Sequence, residues 1–291
     1  MDKKMNGFFS ASAAIKSRKS VRTYKPLLLP AEKKAELEEF AASLEGPFSP
    51  KVRLVFLDED FFKARTGRKI GTYGVIKGAR HFIAGVVEKG AKDLEQVGFI
   101  FEKLVLYAAA LGLGTCWLGG TFKRSGFEKA AEVGSSEMLP VVSPVGYEAE
   151  KKRFMDSAMK MFSGSKKRKH WEELFFNENY DSPLREKAAG AYAIPLEMVR
   201  LAPSASNKQP WRIFKEGTDW HFFMEYSRLI NRSVGFDIQR VDMGIAMSHF
   251  ELAAAEEGLP GFWELRDGAS LPFPETGQLR YIATWSPAPA G

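Results

Sequence analysis

The sequence predicts an α+β protein in which paired strands alternate with long helices. Two kinds of segment support this prediction. Residues 93–112 and 242–259 are long and apolar nearly all round, which is typical of buried helices. Residues 211–216 and 219–227 are rich in apolar and aromatic residues and are separated by Gly217, as in an antiparallel hairpin.

The remaining segments fit the same pattern. Apolar residues at helical spacing predict a surface helix over 31–44 and a shorter helix over 195–202. Residues 115–120 follow the first long helix as a loop or short strand. Further strands are predicted over 52–60, 79–88 and 278–287.

The two long helices resemble each other in sequence. A shift of 146 positions places residues 96–117 over 242–263, and seven of these 22 pairs are identical. Both copies have Gly-Leu after the helix and a Trp four positions after that Leu. We therefore expect an internal duplication, with a first lobe over 1–165 and a second lobe over 166–291 that pack as one compact unit.

Composition limits the function classes. The 291 residues are 45% hydrophobic and 27% charged, as in a globular protein, and no uninterrupted apolar run reaches the ~18 residues of a membrane helix. One cysteine, Cys116, excludes an intrachain disulfide and fits a reducing compartment, so we expect a cytoplasmic protein. The four histidines are scattered, and we expect no metal site.

The formal net charge of +6 favours an anionic partner. Basic residues cluster at 16–22, 150–153 and 166–169. Each cluster can equally be solvated surface, and a nucleic-acid-binding face is a third interpretation. No zinc-finger, RRM or KH signature accompanies the short clusters, so we expect a small phosphate-bearing ligand rather than nucleic acid.

Two stretches of the first lobe could contact such a ligand. Residues 17–26 place basic groups beside the hydroxyl group of Ser20, which suits a phosphate, although an exposed helix start explains the same residues. The glycines of 112–120 permit close approach of the backbone to a ligand, although a helix end and tight turn would also use them. Cys116 is interpreted as a small buried hydrophobic residue.

The most specific stretch is "LAPSASNKQPW" at 201–211. Its small side chains keep the loop thin, so its backbone amides and polar side chains can face a flat polar ring. The side-chain amide of Asn207 offers a donor and an acceptor together, which matches an imide edge. A plain helix end would not need this pattern.

Together these motifs resemble the FMN-dependent nitroreductase family, and in particular a subfamily in which two copies are fused in one chain. The resemblance covers most of the chain: "RKSVRTY" is similar to the family's basic motif, "PSASNKQPW" to its loop, and "ALGLGTCWLGG" to the end of its central helix. "VGYEAEKKR" and "KKRKHWEELFF" are similar to its later motif and basic tail. The implied fold has mainly antiparallel sheets flanked by helices, as two lobes that form an intramolecular pseudo-dimer.

The order of the motifs departs from that of the family. The first lobe has the basic and glycine motifs, but its stretch 43–56 has neither the Asn nor the Gln of the loop motif. The second lobe has that loop but lacks the basic motif, and it carries "EGLPGFWEL" in place of the glycine motif. Since family members are homodimers with flavin at the subunit interface, the resemblance implies one complete site per chain, at the interface of the lobes.

The resemblance also implies the cofactor-binding residues. The FMN phosphate would be held by Arg18, Ser20, Lys166 and Arg168. The residue towards the ribityl chain would be Lys19. The residues beside the flavin ring, with the Gly119 amide towards N5, would be Leu118, Gly119 and Gly120. The residues contributed by the other lobe would be Pro203, Ser204, Ala205 and Asn207. The stretch 71–80 shows no Asn for the flavin pyrimidine.

The implied activity is ping-pong hydride transfer from NADH or NADPH through FMN to a small-molecule electron acceptor, either a nitroaromatic or a quinone. The flavin carries the chemistry, so no side chain is assigned as a catalytic acid, and neither a nucleic acid nor a membrane is expected as a partner. Fusion of the dimer in one chain makes a monomer sufficient. A non-catalytic FMN-binding protein, acting as a sensor or store, is the alternative.

Overall fold

The computed structural model describes residues 9–150, 167–227, 235–267 and 278–289. The chain divides into two compact units. One unit is Ser17–Ser165, called the first lobe below; the other, the second lobe, joins Lys166–Gly291 with Met1–Lys16. Residues 1–16, predicted in the first lobe, are grouped here with the second.

Helix α1 (Ala11–Ser17) explains this grouping. The hydroxyl group of Ser10 donates to Glu256 Oε1 at 2.6 Å, and the backbone N–H of Ser12 donates to Glu256 Oε2 at 2.9 Å. Glu256 therefore caps the start of α1, because the first N–H groups of a helix have no partner within it. These contacts tie the residues just before Arg18 to the second lobe.

In its described residues, the first lobe is a four-stranded antiparallel sheet with four helices. The helices are α2 (Ala31–Ala42), α3 (Glu59–Thr66), α4 (Asp93–Ala110) and α5 (Arg124–Ala130). The strands are β1 (Val52–Asp58), β2 (His81–Glu88), β3 (Gly114–Thr115) and β4 (Glu137–Gly146). They lie in the order β1-β2-β4-β3, with Leu54 opposite Gly85 and Ile83 opposite Ser143. Rings of Phe62, Phe82 and Phe122 pack edge-on against Phe127 in the core.

Over the described part of the second lobe, the chain forms a five-stranded sheet and two longer helices. The helices are α6 (Ala193–Arg200) and α7 (Ile238–Glu256). The strands are β5 (Phe175–Asn177), β6 (Trp211–Glu216), β7 (Asp219–Glu225), β8 (Gly261–Glu264) and β9 (Leu279–Pro287). Three short 3₁₀ helices occupy Trp171–Glu173, Glu186–Tyr192 and Ala205–Asn207. The strand order is β5-β6-β7-β9-β8, and only the β5–β6 pair is parallel.

The two lobes repeat one topology, which confirms the predicted duplication. Strands β6-β7-β9-β8 have the order and antiparallel pairing of β1-β2-β4-β3. The long helix follows β2 in the first lobe and β7 in the second. The equivalent pairings also shift register, β2–β4 between Gly85 and Val87 and β7–β9 between Phe222 and Phe223. Strand β5 is an addition of the second lobe.

The two central helices end in the same way. Gly112 and Gly258 adopt φ values of 74° and 70°, which L side chains rarely adopt. The next residue then folds back: Leu113 N–H donates to Ala108 O at 2.9 Å, and Leu259 N–H donates to Ala254 O at 2.8 Å. This is the Schellman pattern, and it explains why Gly-Leu recurs at the shift of 146 positions.

The repeated tryptophans each donate to a carboxylate of the preceding helix, although the two carboxylates lie three positions apart in the alignment of the lobes. Trp117 Nε1 donates to Glu102 Oε2 of α4 at 2.7 Å, and Trp263 Nε1 donates to Glu251 Oε2 of α7 at 2.9 Å. Each lobe therefore uses a helix carboxylate to fix the chain that follows its central helix.

Most predicted elements are confirmed within a few residues, but several elements were not predicted from the sequence. Helix α7 starts four residues before the predicted 242, capped by the side chain of Asp237. The sequence patterns did not predict the elements α1, α3, α5, β4, β5 and β8, or the 3₁₀ helices named above. Within the described ranges, no helix combines the length and apolar character needed to cross a membrane.

The repeated helix ends generate a prediction. At Gly112 and at Gly258, an added Cβ would meet nothing within 4 Å in the described part of the chain, apart from its neighbours in sequence, so only the positive φ opposes a side chain. We expect Gly112→Ala and Gly258→Ala each to lower the free energy of unfolding by about 1–2 kcal/mol, measured by urea denaturation. A loss at only one of the two positions would contradict the equivalence of the two helix ends.

Candidate functional site

The predicted site residues form two groups, one in each lobe. In the first lobe, the basic motif runs beside β3. Ser20 forms a parallel bridge with Thr115, and Val21 N–H donates to Thr115 O at 2.8 Å. Gly114 permits this approach, since an added Cβ would lie 2.7 Å from Val21 Cγ2. The structure thus brings the predicted basic and glycine motifs together, and this glycine accommodates the protein's own chain.

Arg18 presents buried hydrogen-bond donors. Its side chain is 7% exposed, and among the described residues its Nε and Nη1 have no hydrogen-bond partner. The nearest carboxylate oxygen, Glu102 Oε1, lies 3.9 Å from Nε, which is too far for a hydrogen bond. A buried guanidinium group without acceptors is unfavourable, so these atoms suit an anionic oxygen ligand such as a phosphate group.

Lys19 and Cys116, both near Arg18, differ in exposure. The ammonium group of Lys19 is well exposed and lies 2.5 Å from Glu148 Oε2, so it already has an ionic partner. Cys116 is buried, and burial raises the pKa of its thiol, opposed by Arg22, Arg18 and a hydrogen bond with Ser20. This agrees with the interpretation of Cys116 as a small buried residue, since a protonated thiol is a poor nucleophile.

The predicted ring contacts of the first lobe follow β3. Leu118 and Val142 exchange two backbone hydrogen bonds of 2.9 and 3.0 Å, and the Leu118 side chain is buried. The carbonyl of Gly119 accepts from Arg124 Nη2 at 2.7 Å. Leu118 thus holds the backbone at the sheet, and Gly120 beyond it is exposed.

In the second lobe, the predicted loop forms a tight turn with strained backbone. Ser206, Asn207 and Gln209 have φ values of 50°, 54° and 50°. Residues other than glycine rarely adopt this conformation, and they hold it only where surrounding contacts enforce it. Pro203 and Ser204 are half-buried at its start, and the Ser204 hydroxyl accepts from Gln209 N–H at 2.9 Å across the turn.

The side chain of Asn207 binds the basic tail. Its Nδ2 donates to Lys167 O at 2.7 Å, and its Oδ1 accepts from Arg168 Nη1 at 2.8 Å. The other nitrogen of Arg168, Nη2, donates to Leu201 O at 2.9 Å. The structure therefore joins two residues that the sequence analysis assigned separately to the cofactor. Lys166, the other predicted tail residue, lies outside the described residues.

Two residues of this site were missed in the sequence analysis. Gln209 Oε1 accepts from Lys169 N–H at 2.8 Å, so it pins the tail beside Asn207. Asp242 of α7 is buried, and its Oδ1 accepts from Ala205 N–H at 2.9 Å. The available signals were the Gln within the loop motif and an acidic residue in an otherwise apolar helix.

Asp242 lies in an unfavourable environment for a carboxylate. Its Oδ2 is buried and has no hydrogen-bond partner among the described residues. Burial is the largest influence and raises the pKa of its carboxyl group well above 3.8; the Ala205 N–H opposes this rise and Asp237 adds to it. No group of three or more potential metal-binding side chains occurs in the described ranges.

The pKa of Asp242 predicts a pH dependence of stability. Because its pKa is raised in the folded state, that state holds a proton that the unfolded chain releases above about pH 4, so its contribution to stability falls as the pH rises. We expect Asp242→Asn to become progressively more stable than the unaltered protein as the pH rises above about 4. Urea denaturation of both proteins at several pH values measures this difference, and a constant difference would contradict it.

Comparison with known proteins agrees with this fold. A solved structure from Thermotoga maritima MSB8, described as a putative nitroreductase, is 23% identical and covers 98% of both chains with a TM-score of 0.57. A putative NADH dehydrogenase/NAD(P)H nitroreductase from Bacteroides thetaiotaomicron is 20% identical over 50% of this chain and 91% of its own, with a TM-score of 0.39. An FMN-dependent nitroreductase from Clostridium difficile R20291 is 20% identical over 52% of this chain and 94% of its own, with a TM-score of 0.38.

No curated protein matches the chain. A family model does: the family described as "Putative TM nitroreductase" matches residues 11–254, which include the motifs of both lobes. The likeness to the Thermotoga structure over nearly the whole of both chains shows the nitroreductase fold. The chain therefore belongs to the putative TM nitroreductase family.

Proposed function

We propose that this protein is an FMN-dependent oxidoreductase that takes hydride from NADH or NADPH and reduces nitroaromatic or quinone-type acceptors. The observation that carries the proposal is Arg18: its buried Nε and Nη1 have no hydrogen-bond partner among the described residues, and Ser20 of the same motif adds a hydroxyl group. Such donors fit the terminal phosphate of FMN, and family membership makes a flavin the expected ligand.

The proposed phosphate ligands are basic and hydroxyl groups of two segments, the basic motif and the tail. Arg18 and Ser20 would bind phosphate oxygens directly, while Lys19, already paired with Glu148, would add positive charge nearby. Arg168 and Lys166 of the tail would complete the positive field. When bound, FMN supplies the hydride-accepting and hydride-donating centre; the residues of this chain hold it and orient it.

The distribution of motifs supports one composite site per chain. The first lobe carries the basic motif and Leu118–Gly120, whereas the second carries Pro203–Asn207. We propose that both lobes contribute to one flavin, so that the single chain acts as a pseudo-dimer and needs no second copy. The corresponding loop of the first lobe, 43–56, lacks the Asn and the Gln, so an equivalent second site would be incomplete.

A specific observation keeps a non-catalytic FMN-binding protein as the second candidate. Both polar ends of the Asn207 amide are hydrogen-bonded within the protein, to Lys167 O and Arg168 Nη1. Reading of the flavin pyrimidine by Asn207 would require exchange of these bonds. Turnover, rather than binding, distinguishes this candidate from the enzyme. Either activity is proposed for the cytoplasm, where the single thiol of Cys116 stays reduced.

The absorbance spectrum of the purified protein tests the proposal. After addition of FMN and desalting, we expect a flavin band corresponding to about one flavin per chain, as the single composite site requires. Oxidation of NADH or NADPH with an added quinone should then follow ping-pong kinetics. Retained flavin without turnover would favour the second candidate. Two flavins per chain would contradict the single site, and no retained flavin would contradict both candidates.

The phosphate assignment predicts the effect of Arg18→Ala. Loss of charge-assisted hydrogen bonds costs about 1.5–3 kcal/mol, so the dissociation constant for FMN should rise about tenfold to a hundredfold. Lys19→Ala is the matched control: its ammonium group is exposed and paired with Glu148, and we expect a much smaller rise. Titration of FMN fluorescence measures both constants, and an unchanged constant for Arg18→Ala would place the phosphate elsewhere.

A further inference from the structure

The loop at 203–209 is held by a buried acid that the family motifs do not include. We infer that Asp242 is a positioning residue, whose carboxyl group fixes the turn that presents Ala205 and Asn207 to the flavin. This inference rests on the proposed function, because it assigns a role to Asp242 in that same site.

The first step is the contact between Asp242 and the turn. Asp242 projects from α7, and its Oδ1 accepts from the backbone N–H of Ala205 at 2.9 Å. Ala205 begins the short 3₁₀ helix Ala205–Asn207, so this bond acts at the point where the strained backbone starts. The side chain is 3% exposed, so water does not compete readily for the N–H.

The second step is the need of the turn for outside restraint. The positive φ values at Ser206, Asn207 and Gln209 each raise the energy of the turn by about 1 kcal/mol or more. Its other described restraints are the Ser204–Gln209 bond within the turn and the bonds of Asn207 and Gln209 to the tail. Among these contacts, only the Asp242 bond ties the turn to a central helix.

The third step comes from the duplication. At the shift of 146 positions, Gln96 of α4 corresponds to Asp242. Gln96 is also buried, and its Oε1 accepts from Phe48 N–H at 2.9 Å, in the loop that precedes β1 as 203–209 precedes β6. Both lobes therefore use this helix position to hold the preceding loop, but only the loop held by Asp242 carries the Ser-x-x-Asn motif.

The fourth step is the choice of an acid at this position. A neutral amide serves as the acceptor in the first lobe, whereas Asp242 leaves Oδ2 buried without a hydrogen-bond partner in the described part of the chain. The hydrogen bond from Ala205 N–H to Oδ1 is thus the described interaction that this buried carboxyl group makes. Because an amide supplies the same acceptor, Asn at 242 should preserve the turn, and a side chain without an acceptor should not.

The experiment compares Asp242→Ala, Asp242→Asn and the matched control Gln96→Ala. Hydrogen exchange of the flavin-free proteins reports protection at Ala205 and at Phe48, and fluorescence titration reports the dissociation constant for FMN. We expect Asp242→Ala to lose protection at Ala205 and to bind FMN about tenfold more weakly, because one buried hydrogen bond is lost. Asp242→Asn should restore both, and Gln96→Ala should lose protection only at Phe48 and bind FMN normally.

Three results would overturn the inference: wild-type protection at Ala205 in Asp242→Ala, failure of Asp242→Asn to restore FMN affinity, or equal weakening by Gln96→Ala. If Asp242→Ala does not fold, Asp242→Leu offers a side chain of similar size without an acceptor, and the same outcomes apply to it. Absence of FMN binding by the unaltered protein would overturn the proposed function, whereas the exchange at Ala205 would still decide whether Asp242 fixes the turn.

Discussion

The structure of each lobe depends on how its central helix is terminated. At Gly112 and Gly258 the chain adopts a positive φ, and the following Leu N–H returns to a carbonyl of the last turn. This sharp end directs the chain back along the sheet and allows Trp117 and Trp263 to donate to carboxylates of the helices they follow. The next strand, β3 in the first lobe and β8 in the second, therefore starts at a position set by the helix end. These helix ends repeat together with the strand order, so both features support the duplication.

In the second lobe, the loop at 203–209 holds the basic tail through polar side chains. Asn207 and Gln209 bind the backbone of 167–169, and Asn207 also binds the guanidinium group of Arg168. Such side chain–backbone bonds hold two irregular segments without a regular ladder, which explains how three residues can keep positive φ values. The tail and the loop consequently behave as one structural unit. A proposed role of either segment in flavin binding is therefore a role of both, and the effect of altering Asn207 includes displacement of Arg168.

Arg18 and Asp242 show two different uses of burial. Arg18 buries its Nε and Nη1 without hydrogen-bond partners in the described part of the chain, which favours binding of an anion. Asp242 keeps one oxygen on Ala205 and one oxygen without a partner among the described residues, which favours its neutral form and a holding role. Burial therefore favours ligand binding by the Arg18 guanidinium group, and it favours a role of the Asp242 carboxyl group in holding the loop.

The sequence by itself determined the α+β class, the long helices, the paired strands and the duplication, because hydrophobic periodicity and Gly-Leu helix ends are local signals. It also indicated the basic motif, the glycine motif and the loop. It did not reveal β4, whose Pro140 and Pro144 argue against a strand; Pro140 is accommodated where the pairing with β2 shifts register between Gly85 and Val87. Only the tertiary structure decided that Asn207 meets Arg168 and that Asp242 meets Ala205. These contacts join residues 39 and 37 positions apart, and such pairing depends on how the loop, tail and helix pack, which no local pattern encodes.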